Sequence, residues 1–318
     1  MDLCFNELSL PEQCPEGVAV QKLNGLLDVL RKAYEIDRMI PTFRTENGFK
    51  SIEVSREYPV AKWLGNLERE KRQFMVSVAD RFPYIDEKDT VAYAQYYLSD
   101  FRSDDLEEKE AKGLGAAWLL DGIAVSFFGM EQWNHPLIHI QQRKMDDNTD
   151  IAETMVEVRN AVSSAHMELH REYYRGVEYC ERQLGKLDQL KDSGEKIFPA
   201  LVFGDMVYDW LDRSNLSVTA FRRIIRHLYR LNRFFEDEVS RGNCDLRILP
   251  HCSGESESTR NQFSSAREFL IHGREYDCEW HLKIIADNIR IHFFPDFENR
   301  KVYVGYIGRH LPTSQYRT

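Results

Sequence analysis

The hydrophobic pattern changes period near residue 280, from the 3.6-residue repeat of helices to the two-residue repeat of strands. Three segments alternate in this way, namely Trp280–Ile285, Asn288–Phe294 and Lys301–Ile307. Short polar turns separate them, and residues 295–300 join the last two segments as a hairpin. The sequence therefore predicts that the chain ends in a small antiparallel sheet.

Most of the chain before this sheet has the pattern of helices. We predict helices over Val18–Ile36, Pro59–Phe74, Gly113–Phe128, Ile151–Gln189, Val207–Leu211 and Thr219–Val239, the last capped by Asn215 or Ser217. Short strands are predicted within Met1–Leu10, Ser51–Val54 and Leu137–Gln142, and a loop or linker at Asn243–Asn261. The expected fold class is α+β, with a largely helical regulatory or assembly domain over 1–215 and a helix-and-sheet domain over 216–318.

Length and charge limit the classes of function. A chain of 318 residues has room for about two domains. The net charge is −10, but residues 216–318 hold 16 Lys and Arg against 13 Asp and Glu. This balance argues against nucleic-acid binding by the whole surface and leaves room for a local basic site near the C-terminus.

The sequence also indicates where the protein works. No apolar run reaches the ~18 residues that span a bilayer, and Met1 to Cys4 lack the basic start of a signal peptide. The six cysteines are scattered without a CxxC pair, so a disulfide framework or a zinc ribbon is not indicated. We expect a cytoplasmic protein with free thiols, no cofactor, no bound metal and no membrane association.

Alternation assigns one face of the predicted sheet to polar side chains. His281 and Lys283 lie opposite the apolar residues of their strand, and Arg290 and His292 do the same in the next. In the last strand Val302, Val304 and Tyr306 are expected to share the apolar face. The candidates on or just beyond the polar face are His281, Lys283, Arg290, His292, Tyr303, Arg309 and His310.

This set of side chains suits RNA cleavage without a metal. The reaction needs a base for the ribose 2′-OH, cations for the charged phosphorane and an acid for the leaving oxygen. Histidine and tyrosine exchange protons, while arginine and lysine bind phosphate. We assign the catalytic set to Lys283, Arg290, His292, Tyr303, Arg309 and His310, with His281 binding substrate. The alternative is an ordinary solvated face of an antiparallel sheet.

The same strands resemble a known family. The run Arg290-Ile291-His292-Phe293-Phe294, followed by Lys301 to Leu311, is similar to the closing strands of RelE/ParE-type toxins, over roughly the last 100 residues. The whole chain resembles a group of large bacterial proteins associated with phage-defence loci. That resemblance rests on residues 5–10 (FNELSL), 115–120 (GAAWLL) and 308–313 (GRHLPT).

The resemblance implies two modes of action. RelE-type toxins cut mRNA on the ribosome with scattered basic residues and a tyrosine, at positions corresponding here to Lys283, Arg290, Tyr303 and Arg309. ParE-type toxins inhibit gyrase and need no nuclease residues. The length of this chain and its acidic first two thirds depart from that family and suggest regulation or assembly by the added domain.

We therefore expect an antiphage-defence effector that acts on RNA or the ribosome, with a protein partner encoded in the same locus. A non-catalytic subunit, acting as a sensor, scaffold or gyrase-type inhibitor, is the alternative. Self-association stays open.

Two helical patterns add further candidates. Arg159 and His166, seven residues apart on the predicted helix, resemble the Arg–(4 to 6 residues)–His signature of HEPN-type ribonucleases. On the helix from Thr219, arginines recur at spacings of mostly three and four. Of these, Arg222, Arg226 and Arg230 are candidates to bind RNA, unless the stripe neutralises acidic groups such as Glu236–Glu238.

Overall fold

In the computed structural model the chain divides into two compact units, Met1–Arg175 and Gly176–Thr318. The structure describes residues 1–37, 41–56, 58–86, 93, 96, 99–103, 109–145, 151–185, 189–214 and 216–312. The second unit begins before the expected boundary at residue 216. The reason is that the strand Leu201–Phe203 pairs with Lys301–Gly308 and so belongs to the C-terminal sheet.

Helices and strands are interspersed in both units. The helices are α1 Glu16–Asp37, α2 Val60–Asn66, α3 Arg69–Ser77, α4 Lys112–Leu119, α5 Ser164–Leu169, α6 Arg171–Leu184, α7 Leu190–Ile197, α8 Asp205–Arg213, α9 Val218–Arg233 and α10 Glu257–Phe263. The strands of the first unit are β1 Asp2–Phe5, β2 Thr42–Arg44, β3 Glu53–Ser55, β4 Tyr58–Pro59, β5 Ala79–Arg81, β6 Ser99–Ser103, β7 Ile123–Val125, β8 Leu137–Met145 and β9 Ile151–Ala161. Those of the second are β10 Leu201–Phe203, β11 Cys252–Gly254, β12 Glu268–Ile271, β13 Arg274–Asp277, β14 Trp280–Ile284, β15 Ile289–Asp296 and β16 Lys301–Gly308.

The first unit is built on a mixed sheet that the sequence did not predict. Among the described residues, seven strands pair in the order β5-β2-β1-β7-β9-β8-β6. The strands β5, β2, β1, β7 and β9 run parallel, and β8 and β6 add antiparallel pairs. The expectation of a largely helical domain was therefore wrong. The α+β class itself is confirmed, because helices and sheets occur in both units.

Two predicted helices of the first unit contain strands. Within Gly113–Phe128, α4 ends at Leu119 and the buried strand β7 follows. A strand that is buried on both faces gives a continuous apolar run, which periodicity does not distinguish from a helix. Within Ile151–Gln189, the first eleven residues form β9, whose residues 151–159 pair with β8.

Other predictions are confirmed. The helix expected over Val18–Ile36 is α1, and the strand expected near the N-terminus is β1. Ser217 caps α9, because its side chain accepts a hydrogen bond from the Ala220 amide at 3.1 Å. The segment 243–261, expected as a loop or linker, differs from that prediction, because it contains the strand β11 and most of α10.

The three predicted C-terminal strands are present and form the centre of a larger sheet. Its order is β10-β16-β15-β14-β11, in which β10 and β16 are parallel and the other pairs antiparallel. One face is apolar, with Leu282, Ile291, Phe293, Val302 and Val304 each completely buried. Burial of this face fixes the pairing register, since a slip by one residue would turn every side chain to the other side.

A bulge in β16 reverses the side-chain alternation near its end. His292 pairs with Tyr306 but Phe293 pairs with Val304, so Gly305 has no partner of its own. A Cβ on Gly305 would lie 2.5 Å from the Phe269 ring and 2.8 Å from Cys278 Sγ, so only glycine fits. The bulge places Tyr306 on the polar face beside His292. The expectation that Tyr306 shares the apolar face was wrong.

Two glycines at the second position of a helix differ in their surroundings and give a matched test of the first unit. A Cβ on Gly113 of α4 would overlap the carbonyl oxygen of Phe5, whereas a Cβ on Gly17 of α1 meets no atom within 4 Å. We expect Gly113→Ala to lower the free energy of unfolding by about 3 kcal/mol or more through overpacking. Gly17→Ala should raise it by about 0.5–1 kcal/mol.

Urea unfolding followed by circular dichroism measures both variants. Equal stabilities of the two variants would contradict the close approach of α4 to β1.

Candidate functional site

Cross-strand pairing brings together four of the predicted site residues. His281 of β14 lies opposite His292 of β15, and Lys283 lies opposite Arg290 on the same face. The two imidazole rings are 5.1 Å apart. His281, Arg290 and His292 are only 7%, 5% and 2% exposed, while Lys283 is half-buried. The structure thus collects these groups but covers three of the four.

Two residues that the sequence analysis missed complete the cluster. Glu255 follows β11, and Arg267 precedes β12. Arg267 Nε lies 2.9 Å from Glu255 Oε1, and His281 Nδ1 lies 3.5 Å from the same oxygen. Both partners of this ion pair are almost fully buried. Glu255 falls within the segment that lacks periodicity, so no sequence pattern marked it.

The chain end after β16 adds two predicted residues, Arg309 and His310. Together with Lys283 they form the more exposed edge of the cluster, which we call the rim. His310 is half-buried and lies close enough to Arg290, Glu255 and Arg267 for their charges to affect its pKa. Its Nδ1 atom is 2.6 Å from the Leu311 carbonyl oxygen. A carbonyl oxygen only accepts, so Nδ1 carries the proton and Nε2 of the neutral ring is an acceptor. Arg309 is exposed beside it.

The predicted tyrosine has a different environment. The Tyr303 ring stacks on Tyr276 at 4.0 Å, and Arg274 lies over the Tyr276 ring. Tyr303 therefore belongs to an aromatic cluster under the hairpin β12–β13, with Phe269 and Phe294. Tyr306 is the tyrosine whose ring faces His292, at 6.1 Å between centroids. The sequence analysis chose Tyr303 and not Tyr306, because strict alternation, which ignores the bulge, assigns Tyr306 to the other face.

Burial sets the protonation states in the cluster. Desolvation holds the pKa of His281 well below its usual value, and the neighbouring His292 lowers it further. Burial, followed by the charge of Arg267, lowers the pKa of His292 to about 3. Burial lowers the pKa of Arg290 to about 10, so its guanidinium stays charged at pH 7. The cluster therefore combines neutral imidazoles with charged guanidinium groups.

Hydrogen bonds orient both buried imidazoles. His292 Nδ1 is 3.3 Å from the Cys278 carbonyl oxygen, and must be the donor. His281 Nε2 is 3.2 Å from Ser253 Oγ, on the strand β11 that pairs with β14. His281 Nδ1 is buried without a hydrogen-bond partner. One donor atom from each of Glu255, His281 and His292 lies within 4.8 Å of the others.

The predicted arginine stripe lies on α9. Arg222 is ion-paired with Glu181 at 2.8 Å, while Arg226 and Arg230 are 8% and 7% exposed. Two further arginines pair with acidic groups, Arg223 with Asp287 at 3.0 Å and Arg233 with Asp237 at 2.7 Å. These ion pairs support the reading in which the stripe neutralises acidic side chains.

Arg159 and His166 do not share a helix face. Arg159 lies in β9, and His166 lies in α5. The Arg159 guanidinium pairs with Asp121 at 3.1 Å and lies 4.1 Å above the Tyr173 ring. The premise of the HEPN-like signature, a continuous helix from Ile151, was wrong, because residues 151–159 of β9 pair with β8.

The motif at residues 5–10 is a structural junction. Asn6 Nδ2 donates to Ser126 Oγ at 2.9 Å, and Ser126 Oγ donates to Asn160 Oδ1 at 2.7 Å. Glu7 accepts hydrogen bonds from the amides of Lys112 at 2.6 Å and Gly113 at 2.8 Å. These contacts join the carboxyl ends of β1, β7 and β9 to the start of α4. Ligands often bind at this edge of a doubly wound sheet, but here the polar groups bond to one another.

Comparison with known proteins gives no relative. No protein-family model matches the chain, and no curated protein or solved structure does either. The resemblance to RelE/ParE toxins therefore stays a prediction. Within the described residues, no helix is both long and apolar enough to cross a membrane.

The low pKa values of His281 and His292 predict a dependence of stability on pH. Unfolded histidine titrates near pH 6.5, whereas these rings resist protonation in the fold. The contribution of the two neutral rings to the free energy of unfolding is fully present above pH 6.5. It is lost as the pH falls, by up to about 1.4 kcal/mol per pH unit for each ring. His281→Gln should remove one ring's share of this slope below pH 6.5.

Urea unfolding at several pH values measures the slope. His139→Gln, which changes an exposed histidine of the other unit, is the control and should leave the slope unchanged. A slope in His281→Gln equal to that of the wild type would show that His281 titrates normally in the fold.

Proposed function

We propose that the second unit is a metal-independent endoribonuclease domain of a bacterial antiphage-defence effector. The observation that supports it is the convergence of five predicted residues on one sheet face and its rim: His281, Lys283, Arg290, His292 and His310. This cluster holds several cationic side chains around one carboxylate, Glu255. An excess of positive charge favours a phosphate group as ligand.

The half-buried rim supplies the proton chemistry in this proposal. Desolvation lowers the pKa of His310, so its ring is neutral at pH 7, and its Nε2 atom can accept the ribose 2′-OH proton. The 2′-oxygen then attacks phosphorus, and the bond from phosphorus to the 5′-oxygen breaks. Burial raises the pKa of Tyr306, which therefore keeps its proton and can give it to the leaving 5′-oxygen.

Cations at the same face stabilise the phosphorane. Lys283 and Arg290 are cross-strand neighbours, and Arg309 is exposed next to His310. Arginine offers a planar pair of donors to two phosphate oxygens, whereas lysine provides a single concentrated charge. Buried His281 and His292 take no part in the proton transfers. They form the floor that fixes the position of Arg290 and the rim.

Cleavage of labelled RNA tests the proposal. The purified chain should cut mRNA, tRNA or ribosome-bound mRNA in the presence of EDTA, leaving 2′,3′-cyclic phosphate ends. His310→Gln should lower the rate about 10²-fold or more, as expected for loss of a general base. The double variant Arg290→Ala/Arg309→Ala should lower it by about 10² or more through loss of charge stabilisation.

A control variant at an exposed arginine separates an effect of this site on cleavage from a general effect of lost positive charge. Arg247 is exposed in the same unit and pairs with Asp245 at 2.8 Å, so Arg247→Ala should cleave RNA like the wild type. Thermal melting shows whether the double variant is folded. Equal cleavage by the wild type and the double variant would remove this site from the reaction.

The burial of the cluster favours a second candidate, a non-catalytic subunit that binds a protein partner. His281 and His292 are at most 7% exposed, so these deepest groups hold the fold together and are not open to a phosphate. In that case the chain is harmless on expression and co-purifies with a subunit encoded in its locus. Toxicity that His310→Gln abolishes would instead support the nuclease.

A further inference from the structure

We propose that Glu255, His281 and His292 form a binding site for a divalent transition-metal ion such as Zn²⁺, at the floor of the polar face. The inference goes beyond the proposed nuclease, in which no metal acts. It rests on the convergence of three potential ligand atoms. It also rests on the hydrogen bond that one nitrogen of each imidazole makes, because that bond orients the other nitrogen toward the cluster.

The donor set is one that zinc accepts. A donor atom of each residue lies within 4.8 Å of the other two, so small side-chain movements suffice to bring all three to a common ion. Two imidazole nitrogens and one carboxylate oxygen are an established zinc-binding set, which leaves a fourth position for water or another ligand. Imidazole and carboxylate together select transition metals over Ca²⁺ and Mg²⁺, which prefer oxygen alone.

The tautomers of the two rings agree with metal binding. His292 donates Nδ1–H to the Cys278 carbonyl oxygen, so its Nε2 is the unprotonated nitrogen. His281 has its Nε2 beside Ser253 Oγ, and its buried Nδ1 has no hydrogen-bond partner while lying 3.5 Å from Glu255 Oε1. In metal sites the second ring nitrogen commonly donates to a carbonyl or hydroxyl oxygen in this way.

Burial keeps the ligands ready. Metal binding requires neutral imidazole, and desolvation already lowers the pKa of both rings. Both histidines lie on paired strands of the sheet, which hold them more rigidly than a loop does.

Neighbouring cations limit the affinity. Arg267 binds Glu255 Oε1, but a carboxylate has two oxygens with about four lone-pair positions, so it can serve Arg267 and an ion together. The charge of Arg290 acts on His281 and so opposes a nearby cation. Arg290→Met should therefore tighten metal binding several-fold, whereas it should weaken RNA cleavage.

Metal content of the full chain tests the site. Protein freed of metal with a chelator is incubated with ZnCl₂, separated from free ions by gel filtration, and measured by mass spectrometry for zinc. About one Zn²⁺ per chain is expected. His281→Gln and Glu255→Gln should bind at least tenfold more weakly, and Ser253→Ala about tenfold more weakly because it orients His281.

A matched histidine is the control. His272 lies 3.8 Å from Glu195 on the same unit and is 66% exposed in its side chain, so it is a histidine–carboxylate pair outside the cluster. His272→Asn should keep the zinc. Cobalt(II) gives a visible absorption spectrum when bound by such ligands, and this spectrum should vanish in His281→Gln.

Two results would overturn the inference: an apo wild-type chain that binds no Zn²⁺ at micromolar free ion, or zinc content unchanged in both His281→Gln and Glu255→Gln. Circular dichroism shows that the variants are folded. These measurements need no RNA. Zinc binding without RNA cleavage would sink the nuclease alone, and EDTA-resistant cleavage without zinc binding would sink the metal site alone.

Discussion

The pairing register of β14 and β15 is the constraint on which the candidate site depends. It sets His281 against His292 and Lys283 against Arg290, so four basic side chains occupy adjacent positions on one face. The apolar side chains on the other face, such as Ile291 and Phe293, are completely buried and would be exposed by a slip of one residue. The hydrophobic core of the second unit therefore fixes the composition of the polar face.

Electrostatics follows from this geometry. Four close basic groups cannot all be charged and buried, and the imidazoles lose their protons more readily than arginine does. The pKa of His292 falls to about 3, whereas the pKa of Arg290 stays at about 10. Glu255 and Arg267 add one buried ion pair at 2.9 Å. The polar face therefore has neutral imidazoles in its buried part and positively charged groups around them.

A segment's structure could be predicted only where its hydrophobic residues recur with a clear period. The strands β14, β15 and β16 have one apolar and one polar face, so their alternation revealed their existence and, in β14 and β15, the members of the polar face. The strands β2 and β7 are only three residues long and are nearly all buried, so they carry no alternation. The parallel sheet was missed for that reason.

Residues that depend on tertiary contacts were not predictable from pattern. Tyr306 reaches the polar face only because Gly305 forms a bulge, and the bulge position admits only glycine because Phe269 of another hairpin lies against it. Glu255 enters the cluster because β11 pairs with β14, although its own segment has no hydrophobic period. The FNELSL motif, taken from a resemblance, proved to be a hydrogen-bonded junction of strands and α4.

Exposure limits which side chains of the second unit a ligand can reach. A phosphate can reach Lys283, Arg309 and His310, which are exposed or half-buried, but not His292 at 2% exposure. A catalytic role therefore has to lie with the rim, while the buried groups support it from below. Because an ion bound by His281 and His292 would sit on that floor, it would stiffen the strands that carry Lys283 and Arg290 without entering the reaction. The rim and the floor are thus separable by mutation, although they share two strands.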